Sequence, residues 1–363
     1  MVHYSVDSFN CLSRDAKRMT TTELSDPNLS ADSSLSRKQW LESECELCGG
    51  STRPWLNLPG DWRRRGRPER FRLVWCDDCD YGSLMPRPTP SELASFYQVD
   101  DYYTHQAPQH GRAGRTLADR LLTRLAWSID RRRDVELQAS GLERYGIRPP
   151  GTLCDIGCGN GGLLRRMATA GFTVVGVEPD ADASRAATAG GMRVVRGSAE
   201  DLPPEIATSR FDAVTMMHVL EHALDPLAAV ENAARLLTPG GVFLVETPNN
   251  GCSGARAAGT HWRWLDVPRH VNFFTVRSLA AVCERAGLEI VGVDYNGYTR
   301  QFGGEWITEE REIRKRLAAL DDAEATPSSP PNSRLRAAAL LARTAFARDE
   351  LKYDSIRVAA RKR

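Results

Sequence analysis

The chain of 363 residues is 41% hydrophobic and carries a formal charge of +1. Its length exceeds that of one typical domain and its apolar content supports a buried core, so we expect a main domain with appended segments. A charge close to zero provides no global field for a polyanion, which argues against nucleic acid as a partner.

The N-terminal residues 1–40 are predicted to form a disordered tail. They are rich in Ser, Thr and Asp with little periodicity, so they cannot bury enough apolar surface to order themselves. Met1 and Met19, which precedes the most polar stretch, are alternative start positions. Because the sequence has neither a signal-peptide pattern nor an apolar run long enough to span a bilayer, we expect a cytoplasmic protein without a membrane span.

Residues 41–105 contain a four-cysteine pattern. Cys45 and Cys48 form one Cys-x-x-Cys pair, and Cys76 and Cys79 form a second. Two such pairs complete the tetrahedral four-sulfur shell that a structural zinc ion prefers. Since this shell leaves no position for a water molecule, we assign the predicted zinc to stability and not to catalysis. Two unlinked, reduced cysteine pairs are the alternative.

A proline-rich turn and a short helix follow the cysteines. Pro88 and Pro90 stiffen the turn, and the helix is predicted to begin at Ser91. Tyr102 and Tyr103 end this segment, where they either cover a substrate or pack the small module onto a larger domain.

Residues 106–148 are predicted to form a helical connector that packs against the main sheet. Its apolar residues recur at helical spacing until Pro149 and Pro150 end the pattern. The run Arg131–Arg133 either contacts an anionic substrate or belongs to a solvated helix face. The apolar positions are Leu117, Leu121, Leu122, Leu125, Ala126 and Ile129.

A glycine-rich loop indicates a nucleotide-type cofactor. The strand after residue 150 ends in Asp155 and runs into Gly157, Gly159 and Gly162, where any Cβ would collide with a ligand that approaches the backbone. Glu178 closes the next strand about 20 residues later, as a ribose-binding acid should. The loop by itself is compatible with NAD or with S-adenosylmethionine (SAM).

Four later segments distinguish between these cofactors. Together with the loop they resemble the successive motifs of class I SAM-dependent methyltransferases over residues 150–295. The resemblance implies SAM as cofactor and an α/β fold, with a Rossmann-like, seven-stranded methyltransferase sheet in a domain over residues 149–363. The segments are Gly197–Pro203, Arg210–His222, Leu236–Gly241 and Val242–Thr247.

The same resemblance implies which residues bind the cofactor. In the family, the acid after the first strand and the glycine loop hold the methionine part, and the second acid binds the ribose hydroxyls. An Asp usually faces the adenine, whereas this chain has Ser198, so Glu200 or a backbone amide is expected to substitute. The implied set is Asp155, Gly157, Cys158, Gly159, Glu178, Pro179, Ser198, Ala199, Glu200 and His218.

The N-terminal pattern resembles a known module too. The order of two cysteine pairs, Pro-Arg-Pro, a short helix and paired tyrosines is similar to the zinc ribbon fused to many bacterial methyltransferases of sugar, polysaccharide and secondary-metabolite pathways. In relatives with this arrangement the small domain packs near the substrate cleft.

The segment from His218 to His222 follows the fourth strand, at the edge where open α/β sheets bind substrates. Its His-x-x-Glu-His pattern also occurs in zinc peptidases, an interpretation that we reject within a methyltransferase scaffold. It is similar to the Glu-x-x-Glu-His stretch of ubiquinone-pathway O-methyltransferases, which implies a divalent cation near His218, Glu221 and His222. Alternatively, His222 or Glu221 orients or deprotonates the substrate, or the pair serves only the structure.

The loop and helix over residues 261–280 hold another candidate base. Tryptophans, histidines and arginines are concentrated there, and the order Trp, Pro-Arg-His, Phe and Ser-Leu resembles the same methyltransferase subgroup, in which this loop borders the substrate pocket. We therefore predict His270 as general base or substrate anchor. A hydrogen bond from His270 to a backbone carbonyl, which would only hold the loop, is the alternative.

A helical insert is predicted at about 300–350, before the last strand. Helices at 306–322 and 333–348 flank a proline-rich linker, and 354–361 supplies an antiparallel final strand. The insert is a candidate lid or homodimer contact, and a plain surface helix is the alternative.

These patterns predict a SAM-dependent methyltransferase that acts on an oxygen or carbon of a small molecule, such as a sugar, a glycan or a secondary metabolite. One alternative is a zinc-ribbon RNA methyltransferase, because a basic run, Trp62–Arg70, lies between the cysteine pairs. The other is a noncatalytic scaffold that retains the cofactor fold.

Overall fold

The computed structural model describes residues 43–64, 69–99, 116–130, 136–320 and 333–363. The predicted N-terminal tail, the paired Tyr102 and Tyr103, and the run Arg131–Arg133 lie outside the described residues.

The N-terminal module begins with three antiparallel strands. β1 (Thr52–Leu58) pairs with β2 (Phe71–Cys76), and β2 pairs with β3 (Tyr81–Met85). In chain order the other strands are β4 (Thr152–Ile156), β5 (Thr173–Glu178), β6 (Val194–Arg196), β7 (Phe211–Met217), β8 (Leu237–Pro248), β9 (Asn272–Phe273), β10 (Leu288–Asn296) and β11 (Ser355–Lys362).

Seven of these strands form the main sheet, in the order β10-β11-β8-β7-β4-β5-β6. The strands from β4 to β8 run parallel, whereas β11 is antiparallel to both of its neighbours. The last strand, β11, is antiparallel and lies between β8 and β10. This arrangement confirms the predicted Rossmann-like α/β methyltransferase sheet.

Twelve α-helices connect these strands within the described ranges. They are α1 (Pro90–Phe96), α2 (Leu117–Ile129), α3 (Ala139–Glu143), α4 (Gly162–Thr169), α5 (Ala181–Ala189), α6 (Pro204–Ala207), α7 (Pro226–Leu236), α8 (Ser253–Ala258), α9 (Val276–Arg285), α10 (Gly304–Leu320), α11 (Ser333–Thr344) and α12 (Asp349–Lys352). None of the helices in these parts of the chain is long and apolar enough to cross a membrane.

Both faces of the main sheet are buried. Successive side chains of a strand point to opposite faces, so Cys154 and Phe243 join one apolar cluster while their neighbours Leu153 and Leu244 join another. Because helices cover the sheet on both sides, its strands read as nearly continuous hydrophobic runs. Because β4 to β8 run parallel, their carboxyl ends meet at the same edge of the sheet.

The connector helix α2 packs differently from the prediction. Its inward face contacts mainly the insert that lies between β10 and β11: Thr123 donates to the Phe302 carbonyl at 3.2 Å and Arg334 pairs with Asp119 at 2.9 Å. Ala126 joins an apolar cluster of the insert for the same reason. The helical periodicity did not identify the buried face: Ala126 and the partly buried Leu122 face the insert, whereas Leu117, Leu121, Leu125 and Ile129 are exposed.

The two parts of the molecule share a sheet. β9, which comes from the loop after β8, pairs with β3 and becomes the fourth strand of the N-terminal sheet. Asn272 in β9 accepts from the Tyr81 hydroxyl at 2.5 Å and donates to the carbonyls of Leu220 and Ala223 at 2.8 and 2.7 Å. The N-terminal module is therefore bonded directly to the segment that follows β7.

Candidate functional site

The glycine loop lies between β4 and α4, at the carboxyl edge of the sheet. Gly157 has a φ of 72°, and a Cβ there would come within 2.3 Å of Val219 Cγ2, in the segment after β7. Gly159 has a φ of 54°, and a Cβ added there would have no neighbouring atom within 4 Å. The first glycine therefore permits close packing, and the second lies beside open space in which a ligand can approach the backbone.

Two buried acids flank this loop. Glu178 at the end of β5 accepts from the Gly159 N–H at 2.7 Å and from the Asp180 N–H at 2.9 Å, and burial raises its pKa. Asp155 in β4 accepts from the Thr215 hydroxyl at 2.7 Å, and burial raises its pKa to about 7. A cationic ligand near Asp155 would favour its ionised form.

The segment after β6 has the residues that were predicted to face the adenine. Glu200 accepts from the Leu224 N–H at 2.8 Å, and Asn232 donates to the carbonyls of Ala199 and Glu200 at 2.8 and 2.9 Å. The Ser198 hydroxyl accepts from the Asp201 N–H at 3.0 Å. The side chains of Ser198 and Glu200 are thus engaged in shaping this loop.

Cys158 and Pro179, which were predicted to bind the cofactor, both make contacts within the protein. A Cβ added to Gly176 would come within 2.4 Å of Cys158 Sγ, so the thiol packs against β5 in the core. The Pro179 carbonyl accepts from Arg196 at 2.6 Å.

His218 lies immediately after β7 in a left-handed conformation, with a φ of 58°. Its ring is stacked on Trp264, and its Nδ1 and Nε2 atoms lie 3.2 Å from Glu221 and 3.5 Å from Glu246. Although burial opposes a charge, these two carboxylates raise the pKa of His218 to about 10. His218 is therefore a cation held between two acids.

Glu221, His222 and His270 form a compact cluster beside this cation. Each of them offers a ligating atom, and these atoms all lie within 4.8 Å of one another. The Glu221 side chain is buried, and its Oε2 atom has no hydrogen-bond partner among the described residues. A buried carboxylate oxygen is costly without a partner, so this atom is able to accept a hydrogen bond or to ligate a cation.

Backbone carbonyls fix the tautomers of both histidines in this cluster. His222 Nδ1 lies 3.0 Å from the Arg269 carbonyl, and His270 Nδ1 lies 2.8 Å from the Trp264 carbonyl. Because a carbonyl only accepts, each Nδ1 carries a hydrogen and each neutral ring keeps its lone pair on Nε2. Burial and the neighbouring His222 lower the pKa of His270 to about 4, so this ring is neutral near pH 7.

The four cysteines come together as the sequence predicted. Their Sγ atoms all lie within 4.8 Å of one another, with Cys45 3.5 Å from Cys79 and Cys48 3.5 Å from Cys76. A tetrahedral zinc ion with Zn–S bonds of about 2.3 Å separates its sulfurs by roughly 3.8 Å, so the four thiols fit this ion.

Three residues near the cluster carried no recognisable signal in the sequence. Tyr97 Oη lies 2.8 Å from His222 Nδ1, across 125 residues of chain. Arg269 is fully buried and donates to both carboxylate oxygens of Asp61 at 2.8 Å, across 208 residues. Contacts between such distant positions leave no local spacing pattern, although Arg269 belongs to the Pro-Arg-His motif.

The chain is similar to known methyltransferases. A family model described as a methyltransferase domain matches residues 129–293. Solved structures that resemble the chain include a SAM-dependent methyltransferase from Thermotoga maritima, with a TM-score of 0.40 and 17% identity over 67% of this chain and 92% of that one. Another is from Archaeoglobus fulgidus, with a TM-score of 0.40 and 16% identity over 62% of this chain and 92% of that one.

Curated relatives include two bacterial ubiquinone biosynthesis O-methyltransferases. The chain is 35% identical to the one from Dinoroseobacter shibae over 182 residues, which cover 44% of this chain and 68% of the relative. It is 34% identical to the one from Aromatoleum aromaticum over 163 residues, which cover 41% of this chain and 69% of the relative. With this similarity and the observed strand order, the chain belongs to the class I SAM-dependent methyltransferases.

Proposed function

We propose that this enzyme transfers the methyl group of SAM to a hydroxyl oxygen of a small molecule, which binds beside Glu221, His222 and His270. The main support for the proposal is that His222 and His270 each have Nδ1 within hydrogen-bond distance of a backbone carbonyl. Two Nε2 lone pairs next to a buried carboxylate are suited to a hydroxyl group that must lose its proton.

The residues at the glycine loop fit the cofactor. Gly159 leaves open space beside its backbone, Glu178 can accept from ribose hydroxyls, and Asp155 can face the cationic methionine part. When bound, SAM supplies an already activated methyl group on a positively charged sulfur. The tasks left to the chain are to align the acceptor, exclude water and receive a proton.

We assign different roles to the two histidines. The lowered pKa of His270 makes it a weak base near pH 7, so it orients the acceptor by accepting a hydrogen bond from a second donor group on that molecule, while the reacting hydroxyl donates to His222. His222 receives the acceptor proton on Nε2. Glu221, whose ligating atom lies within 4.8 Å of those of both histidines, stabilises the resulting imidazolium.

A hydroxyl acceptor is supported by the curated relatives, whose names describe O-methyltransferases of ubiquinone biosynthesis. Sugar, glycan and secondary-metabolite hydroxyls belong to the same chemical class and are included in the proposal. A carbon next to a carbonyl group would use the same base and would give a C-methylated product.

A divalent cation is the second candidate for this cluster. One carboxylate and two imidazoles, whose ligating atoms lie within 4.8 Å of one another, match the ligand types of such ions. Glu221 Oε2 has no hydrogen-bond partner among the described residues. In this arrangement the three side chains would hold the cation, which would bind the acceptor oxygen and lower its pKa.

RNA is disfavoured as an acceptor by the local charges. Of the basic run between the cysteine pairs, Arg63 forms an ion pair with Asp266 at 2.7 Å and Arg64 lies 3.9 Å from Asp61. These guanidinium groups are engaged with carboxylates and are therefore less available to phosphates. A noncatalytic scaffold would require that the chain fails to transfer methyl groups.

We also propose that the four cysteines hold a structural zinc ion. Three of the four thiols are buried, and the tetrahedral shell leaves no open coordination position.

The test is transfer of a radiolabelled methyl group from SAM to panels of phenolic, sugar and nucleotide-sugar hydroxyls, with ribosomal RNA as a further acceptor. We expect labelling of one small-molecule class and its loss in His222→Ala, whereas His261→Ala, at the start of the loop that holds His270 but outside the cluster, keeps activity. Loss of activity in EDTA and its recovery with Mg²⁺ or Mn²⁺ would identify the cation instead of the base. Labelling of RNA alone would contradict the proposal.

A further inference from the structure

The Tyr97 side chain of the N-terminal module reaches the proposed acceptor site. We infer that Tyr97 is a positioning residue of the methyl-transfer site, which holds the His222 imidazole in the orientation that leaves Nε2 available. This inference rests on the proposed function, because it assumes that His222 acts on the acceptor.

Tyr97 follows α1 directly and is half-buried. Its hydroxyl lies 2.8 Å from His222 Nδ1, and the centroids of the two rings are 5.9 Å apart. The Arg269 carbonyl lies 3.0 Å from the same nitrogen. The Nδ1 side of the His222 ring is thus held by two oxygens, one from each part of the molecule.

Both oxygens can accept from the Nδ1–H of His222, but only the carbonyl requires that this hydrogen is present. The Arg269 carbonyl only accepts, so it requires a hydrogen on Nδ1, and the Tyr97 oxygen can accept from that same N–H. A ring held by one oxygen can turn about its bond to Cβ more easily than a ring held by two. Tyr97 therefore restricts the ring to the orientation in which Nε2 keeps its lone pair beside Glu221 and His270.

The backbone next to Tyr97 is fixed by a buried ion pair. The Arg269 guanidinium donates to the Phe96 carbonyl at 3.1 Å, to Asp61 at 2.8 Å and to Asp266 at 3.0 Å. Arg269 also precedes His270, so the same side chain joins the residue before Tyr97 to the loop of the second histidine. Such a buried network holds its members in a narrow range of positions.

The matched pair of variants is Tyr97→Phe and Tyr145→Phe. Tyr145 is half-buried too, and its hydroxyl contacts Arg144 and Asp294 away from the proposed site. Each change removes a single hydroxyl oxygen. We expect Tyr97→Phe to lower kcat about 10- to 100-fold while the dissociation constant of SAM is unchanged, and Tyr145→Phe to leave both values unchanged.

A spectroscopic measurement separates this inference from the proposed function. Nitrogen NMR of the His222 ring should show a hydrogen on Nδ1 in both proteins, because the Arg269 carbonyl remains, and broadened ring signals in Tyr97→Phe, because the ring samples more orientations. If the wild-type protein transfers no methyl group, the proposed function fails while the ring spectrum still tests Tyr97. The inference is overturned if the ring spectrum is the same in both proteins, or if Tyr97→Phe weakens SAM binding as much as it lowers turnover.

Discussion

The buried acids on the proposed cofactor side and on the proposed acceptor side differ in whether a cation lies beside them. On the cofactor side, Asp155 and Glu178 both have raised pKa values because they are buried without a cationic side chain that would compensate them fully. On the acceptor side, His218 is a cation whose proximity lowers the pKa of Glu221 and of Glu246 despite their burial. A positively charged sulfonium cofactor would supply the compensating positive charge that Asp155 and Glu178 lack.

SAM binding should depend on pH through Asp155. Its pKa of about 7 in the folded protein lies above the ordinary value of 3.8. The folded chain therefore retains a proton that the unfolded chain has lost, and ionising Asp155 costs the free protein stability as the pH rises towards 7. A cationic ligand prefers the ionised form, so we expect the thermal stabilisation by SAM to grow between pH 6 and 8.

Asp155→Asn provides the comparison for this pH dependence. Its amide cannot ionise, so the variant should bind SAM more weakly and with a flatter pH profile over the same range. Differential scanning fluorimetry at several SAM concentrations measures both effects. An identical pH profile in the two proteins would assign the dependence to another group.

At the scale of elements, the glycine loop and the segment after β7 depend on each other. Gly157 needs both a left-handed conformation and the absence of a Cβ, since Val219 occupies the space. The sequence predicted the strand, the loop and the following helix because their signals are local: an apolar run, clustered glycines and helical periodicity. It could not predict that Val219 closes the loop, because that contact spans 62 residues (219 − 157).

Two alanine substitutions separate conformation from contact. Gly240 has a φ of 78° and no atom within 4 Å of an added Cβ, whereas Gly157 has a φ of 72° and the close approach of Val219. We expect Gly240→Ala to lower the free energy of unfolding by about 1 kcal/mol and to keep SAM affinity. Gly157→Ala should cost more and lose most of its SAM affinity, as measured by urea unfolding and calorimetry. Equal losses in the two variants would show that the contact with Val219 is irrelevant.

Sequence patterns predict candidate site residues but contain no information about the contacts between distant ones. The metal-type spacing of the cysteines, Asp155 before the glycines and Glu178 at the next strand end are each readable from local sequence. The shared sheet through β9, the Arg269–Asp61 ion pair and the contact of Tyr97 with His222 join distant segments. Their geometry arises only when the module and the main domain pack together.

At the scale of the molecule, the described contacts of the four-cysteine module lie on the side of the proposed acceptor site. Its contacts reach the 218–223 segment and the 261–274 loop through Tyr97, Asn272 and Arg269. Asp155 and Glu178, by contrast, lie in the main sheet. Loss of the module should therefore impair turnover before it impairs SAM binding.

Removal of the proposed zinc tests this separation. We expect close to a single zinc per chain by elemental analysis in the wild-type protein and a deficit in Cys76→Ser, with a lower melting temperature, lost turnover and retained SAM binding. Cys283→Ser, at a buried cysteine of α9 outside the cluster, is the control and should keep its zinc. Full zinc content in Cys76→Ser would contradict a four-sulfur site.

The most direct test of the central claim is a calorimetric titration of SAM, and separately of NADH, into the wild-type protein and Glu178→Ala. The account predicts that the wild-type protein binds a single SAM per chain and does not bind NADH, and that Glu178→Ala loses most of its SAM affinity. Binding of NADH, or SAM binding that is independent of Glu178, would contradict the account.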